Sequence, residues 1–214
     1  MRHLKPADFT VIQSLIAEVE TKTKAEVVPL VLKRANDYNW IHSVMAFEGM
    51  LLGILGGWAW SHFHAFPLHF SEGLKFAFFG SFVGLVLSFF PAISRRSIGK
   101  ARLVQEVHAR AFAEFVRQGC AETPHRLGVL ILVSLYEHRI QIIADRGVQE
   151  KMVKEFGPEV WEGFCTHFVA FAKKGQAVEG LAEVIRKLSS ALAEHFPDDG
   201  SAHNYLSNEL RTDE

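Results

Sequence analysis

The chain has 214 residues and carries 23 Lys and Arg against 24 Asp and Glu, which gives a formal net charge of −1 at pH 7. This length suits one domain of ordinary size with additional elements, and the nearly balanced charge argues against a general role in nucleic-acid binding. The two cysteines, Cys120 and Cys165, lie far apart without the spacing of a metal site, and they make no disulfide framework.

The first 40 residues predict one helix and one strand. Apolar residues at helical spacing predict an amphipathic helix, and they are Phe9, Ile12, Leu15, Ile16 and Val19. After the polar connection ETKTKAE, the segment AEVVPLVL predicts a strand. Pro29 inside it indicates an edge position or a bulge, because proline has no N–H to donate. One helix and one strand are too little to bury a core, so this flank requires the rest of the chain.

Two long apolar runs lie between about residues 41 and 94 and predict a transmembrane hairpin. The first, SVMAFEGMLLGILGGWAWS, has a single charge at Glu48, and the second, FAFFGSFVGLVLSFFPAI, has none. A bilayer core about 30 Å thick requires about 20 helical residues. Both runs are long enough, and we expect the two helices at about 43–61 and 74–94.

Small residues recur at every fourth position of both runs. They are Gly49, Gly53 and Gly57 in the first run and Gly80, Gly84 and Ser88 in the second. A stripe of small side chains allows two helix backbones to approach closely in lipid. The spacing therefore predicts that the two helices pack against each other.

The turn between the runs, residues 61–73, contains no Lys or Arg. Basic residues flank the hairpin instead, and they are Lys33, Arg34, Arg95, Arg96, Lys100 and Arg102. Under the positive-inside rule, this distribution places the turn outside the cell. Both flanks, with the N-terminus and the C-terminus, are then cytoplasmic, and the chain is a multi-pass protein of the cell inner (plasma) membrane.

The turn also contains three histidines, His62, His64 and His69, which have two interpretations. Surrounding Trp and Phe residues favour amphipathic side chains at the membrane interface, where such rings accumulate. A His-x-His pair with a third His nearby is alternatively a metal site or a pH sensor. Glu48 has a similar ambiguity, because it is either a functional acid within the membrane or a side chain that reaches the interface.

The chain after residue 95 predicts a long helix, a strand hairpin and further helices. The long helix is expected at about 98–118, with an apolar stripe of Leu103, Val104, Val107, Ala111, Phe112, Phe115 and Val116. GVLILVSL predicts a strand that is buried on both faces, and RIQIIAD after the turn YEH predicts a second one. The remaining helices are expected at about 148–156, 158–173 and 176–196, before a polar tail at 197–214.

Neither flank of the hairpin has enough elements to bury a hydrophobic core alone, so the two flanks are expected to fold together. Residues 1–40 and 95–196 are predicted to form one cytoplasmic α/β domain, a sandwich in which helices flank a small central sheet. The transmembrane hairpin, residues 41–94, is then an insertion that interrupts this domain.

Two segments resemble the TPM domain family. TKTKAEVVPLVL is similar to the opening of that domain, and HRLGVLILVSLYEHRIQIIADRGVQEKM resembles its hallmark hairpin of an apolar strand, a short turn with an acid and an Arg, and a second strand. The resemblance covers about residues 5–33 and 98–196, and NEL at 208–210 is similar to a membrane-embedded bacterial branch. The resemblance implies an α/β sandwich fold and relates the chain to thylakoid lumenal phosphatase-like TPM proteins.

The resemblance also bears on metal binding and catalysis. Some TPM proteins are described as acid phosphatases or calcium binders, with acidic residues on the approach to the first hairpin strand. Here that approach reads Pro124-His125-Arg126-Leu127-Gly128, with a His and an Arg in place of acids. Calcium requires six to eight oxygen ligands, so this departure argues against a calcium site and against phosphatase chemistry.

One candidate pocket remains at the end of the predicted sheet. If the first strand is parallel to 128–135, Glu26, Glu122, His125, Asp145 and Arg146 lie on one rim. A His with two or three carboxylates could hold a divalent metal ion or act as acid and base. The structural alternative is that Glu26 and Asp145 cap helices or pair with nearby cations, and that Asp145-Arg146-Gly147 is a turn before a helix.

The sequence therefore supports three candidate functions. The first is a binding, assembly or regulatory module of the inner membrane, whose partners are the bilayer and a membrane protein or further copies of the chain. The second is a metal-dependent, phosphatase-like hydrolase that uses Glu26, His125 and Asp145. The third is a metal or pH sensor that uses the outer His62, His64 and His69.

Overall fold

The computed structural model describes residues 6–64, 69–123, 125–198 and 211–212. The chain divides into two compact units. The first, which we call the sheet unit, comprises residues 1–36 and 104–214, and the second, the hairpin unit, comprises residues 37–103. The fold is mixed α/β, with a small sheet flanked by helices and with two long apolar helices, as the sequence predicts.

Within these described residues, four strands form the sheet. They are β1 (Glu26–Leu32), β2 (Gly128–Ser134), β3 (Arg139–Ala144) and the two-residue β4 (Arg211–Thr212). The helices are α1 (Pro6–Glu20), α2 (Trp40–His64), α3 (Phe70–Ser88), α4 (Pro91–Ile98), α5 (Lys100–Arg117), α6 (Arg146–Phe156), α7 (Val160–Lys173) and α8 (Ala177–His195), with a short 3-10 turn at Cys120–Glu122. The strands and the helices of the sheet unit begin and end close to their predicted positions.

The sheet order is β3-β2-β1-β4. Strand β1 is parallel to β2, with Glu26 opposite Gly128, and β2 is antiparallel to β3, with Val129 opposite Ala144. Strand β4 adds a parallel pairing to β1, in which Leu30 lies opposite Arg211. The polar tail predicted at 197–214 lies mostly outside the described residues, and the pairing of its residues 211–212 was not predicted.

Every residue of β1 and β2 is buried, because helices cover both faces of the sheet. On one face, Val27, Val129 and Ile131 pack with residues of α1, α6, α7 and α8, among them Ile16 and Phe168. The opposite face is a separate cluster that contains Val28, Leu30, Leu130 and Leu132 together with Val107, Ala111 and Phe115 of α5. This two-sided burial explains why both strands read as continuous apolar runs rather than as alternating patterns.

The apolar stripe predicted for α5 is too wide. Leu103, Val107, Ala111 and Phe115 are buried, but Val104, Phe112 and Val116 are 42%, 61% and 54% exposed. Val107, Ala111 and Phe115 recur at intervals of four and form the narrow face that packs on the sheet. The other three, each of which directly follows a buried residue in the sequence, are exposed, so apolar residues cover more of this helix than its packing uses.

The two apolar helices of the hairpin unit differ in length from the prediction. Helix α2 starts at Trp40 and continues to His64, and α3 starts at Phe70 and ends at Ser88. The predicted turn at 61–73 is therefore shorter, and its Pro67 lies outside the described residues. The prediction of one helix to residue 94 is wrong, because Pro91 starts a separate helix and holds Phe90 in an extended conformation.

Candidate functional site

Glycines form the contact between α2 and α3. A Cβ placed on Gly49 would overlap the backbone of Gly80, one on Gly53 would overlap that of Phe76, and one on Gly84 would overlap that of Met45. Residue numbers rise along α2 as they fall along α3, so the two helices are antiparallel. The predicted packing of the small-residue stripes is confirmed, and it depends on the absence of side chains at these positions.

Large apolar side chains occupy the outer surface of the same two helices. Leu52, Leu55 and Phe63 of α2 are 68%, 60% and 82% exposed, and Phe78 and Phe79 of α3 are each 69% exposed. Both helices are long and apolar enough to cross a membrane. Only 17% and 11% of their most apolar stretches are buried, whereas a core helix of a soluble protein is mostly buried.

The turn histidines lie at the ends of these helices, next to tryptophans. The ring of His62 stacks on Trp58 with a centroid distance of 5.7 Å, and His64 stacks on Trp60 at 3.9 Å. His69 is exposed and precedes α3 as its N-cap residue. Stacked imidazole and indole rings fit the interfacial interpretation. The metal or pH-sensing interpretation of His62, His64 and His69 stays a prediction.

The opposite end of the hairpin contains polar contacts that the sequence did not single out. Nδ1 of His42 lies 2.6 Å from Oγ of the buried Ser88, and the His42 ring stacks on Phe89. Arg102 lies over the ring of Trp40 at 4.5 Å. Glu48 is exposed on α2, so it lies on the outer surface of the hairpin rather than at the glycine contact.

The sheet unit places two of the predicted rim residues at the same edge of the sheet, with strand β2 between them. Glu26 starts β1, and Asp145 follows β3 directly, on either side of Gly128 at the start of β2. Since side chains alternate along a strand, Glu26 and Asp145 lie on the sheet face of Val28 and Ile143. Both are buried, at 7% and 8% exposure.

Gly128 is required at this edge of the sheet for a steric reason. A Cβ on this residue would overlap the carbonyl oxygen of Cys120. The short 3-10 turn therefore packs directly on the backbone between the two carboxylates. This close approach explains why the strand opens with glycine, a role that the sequence pattern did not reveal.

Asp145 is the N-cap residue of α6. Its Oδ1 accepts a hydrogen bond from the backbone N–H of Arg146 at 2.6 Å, which confirms the structural alternative for this residue. Its Oδ2 is buried and makes no hydrogen bond within the described part of the chain. The guanidinium of Arg146 points away to Glu150, at 2.7 Å, and this hydrogen bond raises the pKa of Arg146.

The other two rim residues, Glu122 and His125, do not add buried side chains to the rim. The side chains of Glu122 and His125 are exposed, and the backbone of His125 and Arg126 packs against Gly147. Among residues 6–64, 69–123, 125–198 and 211–212, no three His, Cys, Asp or Glu side chains are grouped so that they could hold a metal ion. The rim as described supplies two buried carboxylates, and its metal and catalytic roles stay predictions.

A second buried carboxylate site lies at the other end of the sheet. Glu137, in the turn between β2 and β3, is 5% exposed. Its Oε1 accepts a hydrogen bond from the backbone N–H of Ala35 at 3.0 Å, and its Oε2 accepts one from Oγ of the buried Ser134. Glu137 thereby links the strand hairpin to the residues that follow β1. The sequence analysis did not predict this contact, and the one signal that could have indicated it is a serine inside an apolar strand, three residues before a glutamate.

The cysteines are both free thiols. Cys120 is completely buried, and Cys165 lies half-buried in α7. Burial raises the pKa of Cys165 to about 11. A thiol with this pKa is almost fully protonated at neutral pH and is a poor nucleophile, so Cys165 does not have the properties of a reactive cysteine.

Comparisons with known proteins identify a structure of similar fold but assign the chain to no family. No protein-family model matches the chain, and no curated protein matches it. The NMR structure of the BA42 protein from the psychrophilic bacterium Bizionia argentinensis is similar, with a TM-score of 0.59 and 16% sequence identity. The similarity covers 99% of this chain and 97% of that chain. At this identity, the comparison bears on the fold alone.

Proposed function

We propose that this chain is an integral inner-membrane protein whose sheet unit is a TPM-like domain on the cytoplasmic side. It acts as a binding, assembly or regulatory module for membrane or envelope partners. The observation that carries the proposal is the hairpin unit, in which glycines form the helix contact and large apolar residues face outward.

The apolar surface of the hairpin favours lipid over water as its surroundings. Soluble monomers rarely expose contiguous apolar patches larger than a few hundred Å², whereas the exposed Leu, Phe and Trp residues continue along both helices. In lipid, association of helices depends on close backbone packing rather than on burial of large side chains. The glycine contact between α2 and α3 is of that kind.

The sheet unit supports a binding role through its position in the chain. Residues 33–39 alone connect β1 to α2, so the hairpin holds the domain near the bilayer. Attachment of this kind raises the effective concentration of a domain for partners in the same membrane. The basic residues on both flanks of the hairpin support cytoplasmic termini.

Thiol labelling in intact cells tests the topology. A His64→Cys variant should react with a membrane-impermeant maleimide added outside, whereas Lys187→Cys, on the exposed side of α8, should react only after permeabilisation. The native thiols give a low background, because Cys120 is buried and the pKa of Cys165 is raised. Labelling of Lys187→Cys in intact cells, or recovery of the chain in the soluble fraction, would contradict the proposal.

Cross-linking in native membranes, followed by purification in mild detergent, tests the binding role. We expect a stoichiometric complex with one membrane protein or with further copies of this chain. A chain that remains an uncross-linked monomer at native abundance would contradict a binding role while leaving the topology untouched.

The second candidate function is metal-assisted hydrolysis of phosphate esters at the rim. The observation that favours it is the pair of buried carboxylates, Glu26 and Asp145, on one face of the sheet. The purified protein should then hydrolyse a generic phosphate ester with magnesium, manganese or calcium. Asp145→Asn should abolish this activity, and Glu150→Gln, an exposed carboxylate on α6, serves as the matched control. Activity that survives both Asp145→Asn and His125→Ala would exclude the rim.

A further inference from the structure

The short helix α4 lies at the end of the hairpin unit where α2 begins and α3 ends. Only Phe89 and Phe90 separate α3 from α4, and α4 contacts both long helices. Its Ser94 and Ile98 are buried, and at 100° per residue the exposed Arg96 lies on the opposite side of the helix. Because α4 and the two long helices belong to one compact unit, α4 has a defined place at this end of the hairpin.

Four basic residues of the hairpin unit follow α3 at this end, and they are Arg95, Arg96, Lys100 and Arg102. The acids in residues 37–48 and 89–103 are Asp37 and Glu48, so four cations against two acids leave an excess of two positive charges. At the other end, the charged residues within 49–64 and 69–88 are Glu72 and Lys75, which form an ion pair at 2.8 Å. The excess of positive charge therefore belongs to the α4 end of the hairpin.

Aromatic rings lie beside these cations. Trp40, Phe89 and Phe90 are all exposed. The guanidinium of Arg102 lies 4.5 Å from the centroid of the Trp40 ring, and the ring of His42 stacks on Phe89. Aromatic rings and long cationic side chains collect where the acyl chains of a bilayer meet its headgroups. The α4 end of the hairpin has this composition.

Charge and chain continuity favour anionic phospholipid as the occupant of this surface. Arg96 and Lys100 are exposed, and guanidinium and ammonium groups bind phosphate oxygens through charge-assisted hydrogen bonds. The exposed apolar side chains of α3 continue directly into Phe89 and Phe90, so lipid that surrounds α3 reaches α4 without a break. A second copy of the chain would bring two sets of these cations together, whereas anionic headgroups neutralise them.

We propose that the α4 end of the hairpin binds anionic phospholipids, whose phosphate groups contact Arg96 and Lys100. Phe89 and Phe90 lie at the level where the acyl chains meet the headgroups. This inference rests on the proposed insertion of the hairpin, and it adds the class of lipid that the chain prefers at one of its ends. Anionic phospholipids are enriched in the cytoplasmic leaflet, which agrees with the cytoplasmic side proposed for both termini.

Quenching by spin-labelled lipids, with the full chain reconstituted in vesicles, tests this preference. A fluorophore is attached to a cysteine at Ser97 on α4, at His64 at the other end of the hairpin, or at Leu52 between them. The vesicles consist of phosphatidylcholine with a minor fraction of a doxyl-labelled lipid, whose headgroup is either phosphatidylglycerol or phosphatidylcholine. Because the anionic lipid gathers at α4, it should quench the label at Ser97 at least about twofold more strongly than phosphatidylcholine does. At His64 the two lipids should quench equally.

The three labels separate the failure of this inference from the failure of the proposed function. If Leu52 is quenched but the two lipids quench Ser97 equally, or do not quench it, the hairpin is inserted and the inference about α4 is overturned. A preference for phosphatidylglycerol that is as strong at His64 as at Ser97 would also overturn it, because the attraction would not belong to α4. Absence of quenching at Leu52 would contradict the proposed function itself.

Charge-neutralising variants connect the preference to its side chains. Arg96→Gln/Lys100→Gln should remove the preference at α4 and leave the quenching at Leu52 unchanged. Lys174→Gln/Lys187→Gln removes the same charge from exposed residues of the sheet unit and should retain the preference. Higher salt concentration should weaken the preference, because salt screens exposed charges. A preference that survives Arg96→Gln/Lys100→Gln would show that these two side chains do not hold the lipid and would overturn the inference.

Discussion

The sheet unit and the hairpin unit place their large apolar side chains in opposite positions. In the sheet unit, Ile131, Leu132 and Phe168 are completely buried. In the hairpin unit, residues as large as Leu52 and Phe78 face outward, and the helix contact is made by glycines.

The difference shows which force holds each unit together. Burial of apolar surface away from water stabilises the sheet unit at about 25 cal/mol per Å². This force is absent between helices in lipid, where close van der Waals contact and hydrogen bonds are what remain. Substitutions that remove volume should therefore damage the sheet unit, and substitutions that add volume at the helix contact should damage the hairpin.

The largest expected effect is that of Ile131→Ala in the core of the sheet. Ile131 is completely buried in the central strand, so its truncation leaves a cavity and should lower the free energy of unfolding by about 2–5 kcal/mol. Pulse proteolysis of the reconstituted protein across a urea series measures this change. The matched truncation Leu52→Ala, on the outer surface of the hairpin, should leave the stability of the sheet unit unchanged, and equal losses would break the comparison.

The second effect is that of added volume at the helix contact. Gly53→Ile places a side chain against the backbone of Phe76 and should destabilise the pairing of α2 and α3 by about 1–3 kcal/mol. Spin labels at Leu51 and Phe82 report the separation of the two helices, which should increase.

Gly56 provides the control for this experiment. It lies on the same helix, and a Cβ placed on it would meet nothing within 4 Å beyond the neighbouring backbone of its own helix, so Gly56→Ile should leave the distance between the labels unchanged. If the two variants behave alike, helix propensity and not the glycine contact determines the outcome.

A third effect tests the buried carboxylate of Glu137 in the sheet unit. Glu137→Ala removes the acceptor for the backbone N–H of Ala35 and for Ser134. Two buried donors then lack a partner, which should cost about 1–3 kcal/mol of unfolding free energy. Urea denaturation measures the loss, and Glu150→Ala, an exposed carboxylate, serves as the comparison. A Ser134→Ala/Glu137→Ala variant that is as stable as the native protein would show that the contact is dispensable.

The smallest effect concerns alkaline pH and tests the burial of Cys165 in the sheet unit. Burial raises the pKa of Cys165 from 9.0 to about 11, so folding favours the protonated thiol. Its contribution to stability is complete below pH 9 and is lost as the pH rises through 11, because the unfolded thiol ionises first. Cys165→Ala should make unfolding less sensitive to pH in this range, with no change at pH 7 in the slope against pH. Identical pH profiles for the two proteins would contradict the assigned burial.

Local patterns in the sequence were sufficient for most elements. Continuous apolar runs identified β1 and β2, because both strands are buried on two faces, and fourfold spacing identified the glycines of the hairpin. The same reasoning failed at α5, where Val104 and Phe112 read as core residues. Periodicity reports how apolar a side of a helix is, and it does not report how much of that side the sheet covers.

The sequence by itself determined the two long apolar helices and the apolar strands β1, β2 and β3, because these depend on residue type and spacing along the chain. The parallel pairing of β1 with β2, which the candidate rim presupposed, came from the tertiary structure. Only the tertiary structure decided that Gly128 admits the backbone of Cys120, that Glu137 binds the N–H of Ala35 and that three apolar residues of α5 face outward. Each of these depends on contacts between segments distant in sequence, and such contacts leave no periodic pattern in either segment.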